Sequence, residues 1–124
     1  MVTVKKVILL IEDNPLLTGM YTAAFKKRGI EVFIAHNGEE GFKIINDHKP
    51  DLVLLDLFMP GMNGFEILER MKADPEMKDI KVIMLTVSPK KEDEQKARSL
   101  GVIDYLLKQE LHLNDIVERV MKHF

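Results

Sequence analysis

The sequence predicts an α/β fold in which five strands of a parallel sheet alternate with five helices. Three observations lead there. Short aliphatic runs recur at residues 7–11, 32–35, 52–55, 82–85 and, more weakly, 105–107. They show little polar alternation, which marks strands covered on both faces. Between the runs, apolar residues fall at helical spacing. The 124 residues also divide into five units of about 25, enough for a strand, a helix and short loops.

The elements follow in order. After the run VILLI come Asn14 and Pro15, an N-cap and first-turn pair. Leu17, Met20, Tyr21, Ala24 and Phe25 then repeat at i, i+3, i+4, i+7 and i+8, the pattern of one buried helix face. Lys26, Lys27 and Arg28 suit the negative end of that helix, and Gly29 is free to turn left-handed. Asn37 with Glu40, and Asn63 with Glu66, have capping-box spacing at the starts of the second and third helices. Phe42, Ile44 and Ile45 mark the second. Phe65, Ile67, Leu68 and Met71 mark the third. The fourth helical region, 88–99, reads SPKKEDEQKARS. Only Ala97, and then Leu100, offer it apolar surface, so it is held weakly. Leu100 and Gly101 repeat the helix stop. Ile116, Val117, Val120 and Met121 mark the fifth helix.

Composition narrows the function classes. Eighteen basic against twenty acidic residues give a net charge of -2, with 46% hydrophobic and 31% charged residues. That is a globular mix without the basic stripe of a direct nucleic-acid binder. Cysteine is absent, which excludes disulfides, thiolate metal sites and a Cys nucleophile and fits a cytoplasmic location. The longest aliphatic run is far short of the roughly 20 residues that cross a bilayer, and the N-terminus lacks a signal-peptide core, so no membrane association is expected. The expectation is one domain over residues 1–124.

Parallel α/β sheets place ligands at the carboxyl ends of their strands. Glu12 and Asp13 follow the first strand, Asp56 the third, Thr86, Val87 and Ser88 the fourth, and Lys108 the fifth. Each residue alone is ordinary turn or surface chemistry. Unrelated turn chemistry has no reason to deliver them all to one edge. Three carboxylates close together repel one another, and one would tend to stay protonated. A hard cation with oxygen ligands removes that conflict. Mg²⁺ fits best, keeping several waters and taking one or two carboxylates plus phosphoryl oxygens; Mn²⁺ could substitute. The set suits phosphoryl transfer: Asp56 as nucleophile, with Mg²⁺, Lys108 and Thr86 each meeting one charged equatorial oxygen.

The stretches VILLIEDNP, DLVLLDLFMPGMNGFEIL, VIMLT and DYLLK resemble the receiver domain of two-component response regulators. The resemblance runs over residues 6–124, and DLFMPGMNG is its most specific part. It implies a flavodoxin-like, doubly wound (βα)5 three-layer sandwich with sheet order 2-1-3-4-5. It also implies that Asp56 accepts a phosphoryl group from the phosphohistidine of a sensor histidine kinase or phosphotransfer protein. Asp13 and Asp56 resemble the Mg²⁺ carboxylates, Glu12 the holder of a metal-bound water, and the Phe58 backbone carbonyl the remaining protein ligand. Lys108 resembles the lysine that pairs with the phosphoryl group, Thr86 the switch hydroxyl, and Tyr105 the aromatic that rotates inward on activation. The readout face would be the fourth helix, fifth strand and fifth helix, addressed to an unidentified downstream protein. Mixed charges there allow a phosphorylation-dependent homodimer. Such a domain catalyses only its own phosphorylation and slow dephosphorylation, and is no enzyme in the ordinary sense.

Three positions depart from the family pattern. Gln109 follows Lys108 where a proline with a cis bond is usual. A cis bond before Gln would cost roughly 3 kcal/mol, so a trans bond or a rearranged loop is expected. Val87 replaces a small residue and could narrow access to Asp56, while Phe58 could shield an acyl phosphate from water. Slow phosphorylation by small donors and slow hydrolysis are therefore expected, with Val87→Ala speeding the former. The alternative is a docking pseudo-receiver that is never phosphorylated. A dehalogenase-like phosphatase lacks its second acid, since Phe58 stands there. A nucleotide site fails because EDNP occupies the place of a glycine-rich phosphate loop.

Overall fold

The computed structural model describes residues 5–124. Its elements run β1 Val7–Ile11, α1 Pro15–Lys27, β2 Glu31–Ala35, α2 Gly38–His48, β3 Leu52–Leu55, α3 Gly64–Ala73, β4 Lys81–Thr86, α4 Lys91–Ser99, β5 Asp104–Leu107 and α5 Leu113–Met121. The five strands form one sheet in the order β2-β1-β3-β4-β5. Every pairing is parallel, with registers such as Ile8↔Leu52, Leu55↔Met84 and Thr86↔Leu107. This is the flavodoxin-like three-layer sandwich expected from the sequence.

The aliphatic runs build two cores because successive strand side chains point to opposite faces. Leu9, Ile11, Val53, Leu55, Val82, Met84 and Tyr105 face α2, α3 and α4. Ile8, Leu10, Leu52, Leu54, Ile83, Leu85 and Leu106 face α1 and α5. Ten of these strand side chains are fully withdrawn from water, and at about 2 kcal/mol each they supply a large share of the drive that holds the layers together.

Local signals decide where the helices begin and end. Asn14 Oδ1 accepts from the Leu16 and Leu17 amides at 3.0 and 3.2 Å, with Pro15 in the first turn. Asn63 and Glu66 close a complete capping box at 3.0 and 3.2 Å. At α2 the box is only half made. Asn37 Oδ1 accepts from the Glu40 amide, but the Glu40 carboxylate accepts from His36 N–H, one residue earlier than the spacing implied. Gly29 and Gly101 end their helices at φ 77° and 97°, a region other residues rarely enter.

The structure corrects the sequence reading in three places. Met20, placed on the buried face of α1, is substantially exposed, and Thr18 is buried instead. Helix α4 begins at Lys91 rather than near Ser88, without a side-chain cap, and buries only Ala97. Strands β2, β4 and β5 start earlier, at Glu31, Lys81 and Asp104. No helix among the described residues is long and apolar enough to cross a membrane.

Candidate functional site

Parallel strands deliver their carboxyl ends to one edge, and the backbone fixes what stands there. The Glu12 amide donates to Ala35 O at 3.0 Å, and the Asp56 amide donates to Ile11 O at 3.1 Å. These bonds hold Glu12 and Asp56 just past β1 and β3, side by side. The Lys108 amide donates to Thr86 O at 2.9 Å, bringing Lys108 to the last residue of β4. One oxygen each from Glu12, Asp13 and Asp56 lies within 4.8 Å of the others. Lys108 Nζ is 2.5 Å from Glu12 Oε1 and 3.6 Å from Asp56 Oδ1. Four of the side chains singled out in the sequence therefore meet in one place.

Their surroundings differ. Glu12 is 2% exposed and Asp56 7%, whereas Asp13 is open to solvent. Glu12 is held from two sides, since its Oε2 accepts from the Asn14 amide at 3.1 Å. Asp56 Oδ1 accepts from the Phe58 amide at 3.4 Å. Burial pushes the Asp56 carboxyl up to about 6; Lys108 opposes this and Glu12 adds to it. Tyr21, buried in α1, is pushed up to about 12 by burial, with the Glu12 and Asp56 charges acting in the same direction.

Hard oxygen donors crowded around one incompletely neutralised carboxylate fit a small divalent cation. The raised proton affinity of Asp56 comes first from burial, and the neighbouring Glu12 charge adds to it; a bound cation would offset both.

Thr86 is completely buried. Its Oγ1 accepts from the Ser88 amide at 3.3 Å, which leaves its own proton free to donate. Tyr105 lies inward, donating its hydroxyl to Ser88 O at 2.8 Å, and burial raises its phenol. Phe58 and Val87 are 54% and 51% exposed, each two or fewer residues from a site residue. The Lys108–Gln109 bond is trans, since no cis peptide occurs among the described residues.

The sequence reading missed Gly64. A Cβ there would stand 2.6 Å from Asp56 O and 2.8 Å from Leu57 Cα. The Gly64 amide also donates to Leu57 O at 2.8 Å. Helix α3 thus packs its first residue against the backbone carrying Asp56, an approach open only to glycine. The glycine in DLFMPGMNG was visible, but its contact with Asp56 is tertiary.

The family model for the response regulator receiver domain matches residues 8–121. Protein PilH of Pseudomonas aeruginosa is 39% identical over 103 residues, covering 82% of this chain and 84% of its own length. Sporulation initiation phosphotransferase F of Bacillus subtilis is 34% identical over 116 residues, covering 94% of this chain and 91% of its own. Among solved structures, the Mn²⁺-bound form of response regulator Rcp1 is similar with a TM-score of 0.79 at 30% identity, covering 94% of this chain and 90% of that one.

Proposed function

Because the chain belongs to the response regulator receiver domain family, a family of signalling modules, we propose that residues 1–124 form one receiver domain whose phosphoacceptor is Asp56. The observation that carries this is the convergence of Glu12, Asp13 and Asp56 within 4.8 Å beside Lys108. An Asp56 carboxylate oxygen attacks the phosphorus of a phosphohistidine on a sensor kinase or phosphotransfer protein. The phosphorus–nitrogen bond breaks, and its electron pair returns to the imidazole, which then takes a proton. Lys108 pairs with one phosphoryl oxygen as charge moves onto the group, and the free Thr86 proton is donated to another. Glu12, Asp13, Asp56 and the Phe58 carbonyl would hold Mg²⁺, or Mn²⁺ in its place. When bound, the cation would neutralise phosphoryl charge and favour the ionised, nucleophilic form of Asp56.

The phosphoryl group interacts differently with the two positions open to Thr86 and the loop 87–90, and so shifts their equilibrium. Helix α4, anchored by Ala97, moves at low cost, and the α4–β5–α5 face carries the signal to a downstream protein or to a second copy. The domain turns over no free substrate beyond its own phosphorylation and slow dephosphorylation. It works in the cytoplasm, without contacting a membrane or nucleic acid directly.

Beryllofluoride, a phosphoryl mimic, tests the reading against a docking pseudo-receiver. Binding that requires Mg²⁺ and disappears in Asp56→Asn is expected. A chain that ignores beryllofluoride at saturating Mg²⁺ is a pseudo-receiver. Borohydride trapping followed by mass spectrometry then places the acyl phosphate on Asp56.

A further inference from the structure

The backbone ladder between β4 and β5 ends where the Lys108 amide donates to Thr86 O at 2.9 Å. The next carbonyl, that of Val87 just past the end of β4, is met by a side chain. Gln109 Nε2 donates to Val87 O at 3.0 Å. Gln109 thereby adds a side-chain tie just beyond the last backbone rung. It joins the residue after Lys108 to the residue after Thr86. Proline, with no donor of any kind, could not make this bond.

The tie acts on a loop with little packing of its own. Residues 87–90 lead into a helix that buries only Ala97. The loop is otherwise placed by Tyr105 Oη donating to Ser88 O at 2.8 Å, by a contact between Ser88 Oγ and Asp93, and by two local bonds, from the Ser88 amide to Thr86 Oγ1 and from the Lys90 amide to Ser88 Oγ. The first two fix Ser88 against β5 and α4. None of the four reaches the loop that carries Lys108. The Gln109 bond does, and it is exposed to solvent.

We propose that Gln109 is a positioning residue that holds the β4–α4 loop at a set distance from Lys108, so that Thr86 and Lys108 are arranged for a phosphoryl group before one arrives. This rests on the phosphoacceptor reading of Asp56. Donors fixed in advance lose less freedom on binding, so the tie strengthens capture of the phosphoryl group without touching it.

Gln109→Glu keeps the shape and removes the donor; Gln109→Ala removes the side chain. Both variants should bind beryllofluoride about three- to tenfold more weakly, the range one hydrogen bond commands. Their Mg²⁺ affinity and urea midpoint should match the parent chain, and both should lose the hydrogen-bonded ¹³C shift of the Val87 carbonyl. Unchanged beryllofluoride affinity overturns the proposal. So does a loss of Mg²⁺ affinity or of stability in step with it, which marks a merely structural bond. A parent chain that takes up no beryllofluoride defeats the phosphoacceptor reading and the positioning role together, while the Val87 shift separately reports whether the tie exists.

Discussion

The Lys108 ammonium rests on Glu12, 2.5 Å from Oε1, and stands 3.6 Å from Asp56 Oδ1. Glu12 is itself pinned through its other oxygen to the Asn14 amide. The residue that resembles a metal-water holder is thus also the tether of the lysine proposed to pair with the phosphoryl group. A divalent cation held there would therefore compete with Lys108 for the same negative charge.

Lys108→Ala should consequently tighten Mg²⁺ binding by about tenfold, because a fixed positive charge leaves a partly buried acidic site. It should weaken beryllofluoride binding at the same time. Calorimetric titration with each ligand checks the pair of effects. Weaker Mg²⁺ binding in the variant would contradict the competition.

Asp56 gives a pH dependence of definite sign. Its carboxyl ordinarily titrates near 3.8 and is pushed up to about 6 by burial. The folded chain then holds this proton more tightly than the unfolded chain does. Its contribution to stability is fully present below about pH 4 and is lost as the pH rises through 6. Asp56→Asn removes the penalty and should stabilise the metal-free chain at pH 7.5 by on the order of 2 kcal/mol. Urea denaturation in a chelator at pH 5 and 7.5 measures it. Mg²⁺ should reverse the trend in the parent chain, since it binds the ionised form.

Gly64→Ala should cost about 1–3 kcal/mol, the usual penalty for overfilling a packed site. The added carbon meets backbone at 2.6 Å, which cannot swing aside as a flexible side chain can. Displacing Asp56 O and Leu57 also shifts the Phe58 carbonyl, so Mg²⁺ affinity should fall along with stability. A variant with lower stability but parental Mg²⁺ affinity would separate α3 docking from the site.

At the opposite edge of the sheet, Asp104 titrates with the reverse sign. It is buried, which alone would raise it. The His123, Tyr105 amide and Arg119 contacts outweigh that and hold it below the ordinary carboxylate range. Arg119 Nη2 lies 2.8 Å away, His123 Nε2 3.1 Å and Arg98 Nη2 3.8 Å. Its contribution is present above about pH 4 and fades as acid takes the pH below that. Asp104→Asn should cost about 1–3 kcal/mol at pH 7, nearer the lower figure because both arginines are partly solvated. Hydrogen exchange in α4 should quicken, since Arg98 keeps Glu94 within the helix but loses its charge contact across to β5. Denaturation from pH 3 to 7 in the Asp56→Asn background isolates this limb.

Much of the architecture was legible because it depends on periodicity. The runs at 7–11 and 52–55 match β1 and β3 to the residue, since strands buried on both faces carry no polar interruption. Glu31, Lys81 and Asp104 begin their strands unseen, because a polar residue at a sheet edge looks like loop. Met20 fits the helical stripe, yet Thr18 takes the buried place; the stripe gives a face, not the width its neighbours cover. Glu12, Asp13, Asp56 and Lys108 were legible as a group because strand ends share an edge. The Glu12–Lys108 tether, the Gly64 contact and the Asp104 cluster join residues far apart in the chain, and no local pattern announces them.

Tyr105 and Leu106 are neighbours in β5 but belong to different cores, one with α2, α3 and α4, the other with α1 and α5. The sheet works as a partition. A rearrangement of Tyr105 and α4 can therefore proceed while α1 and α5 keep their packing.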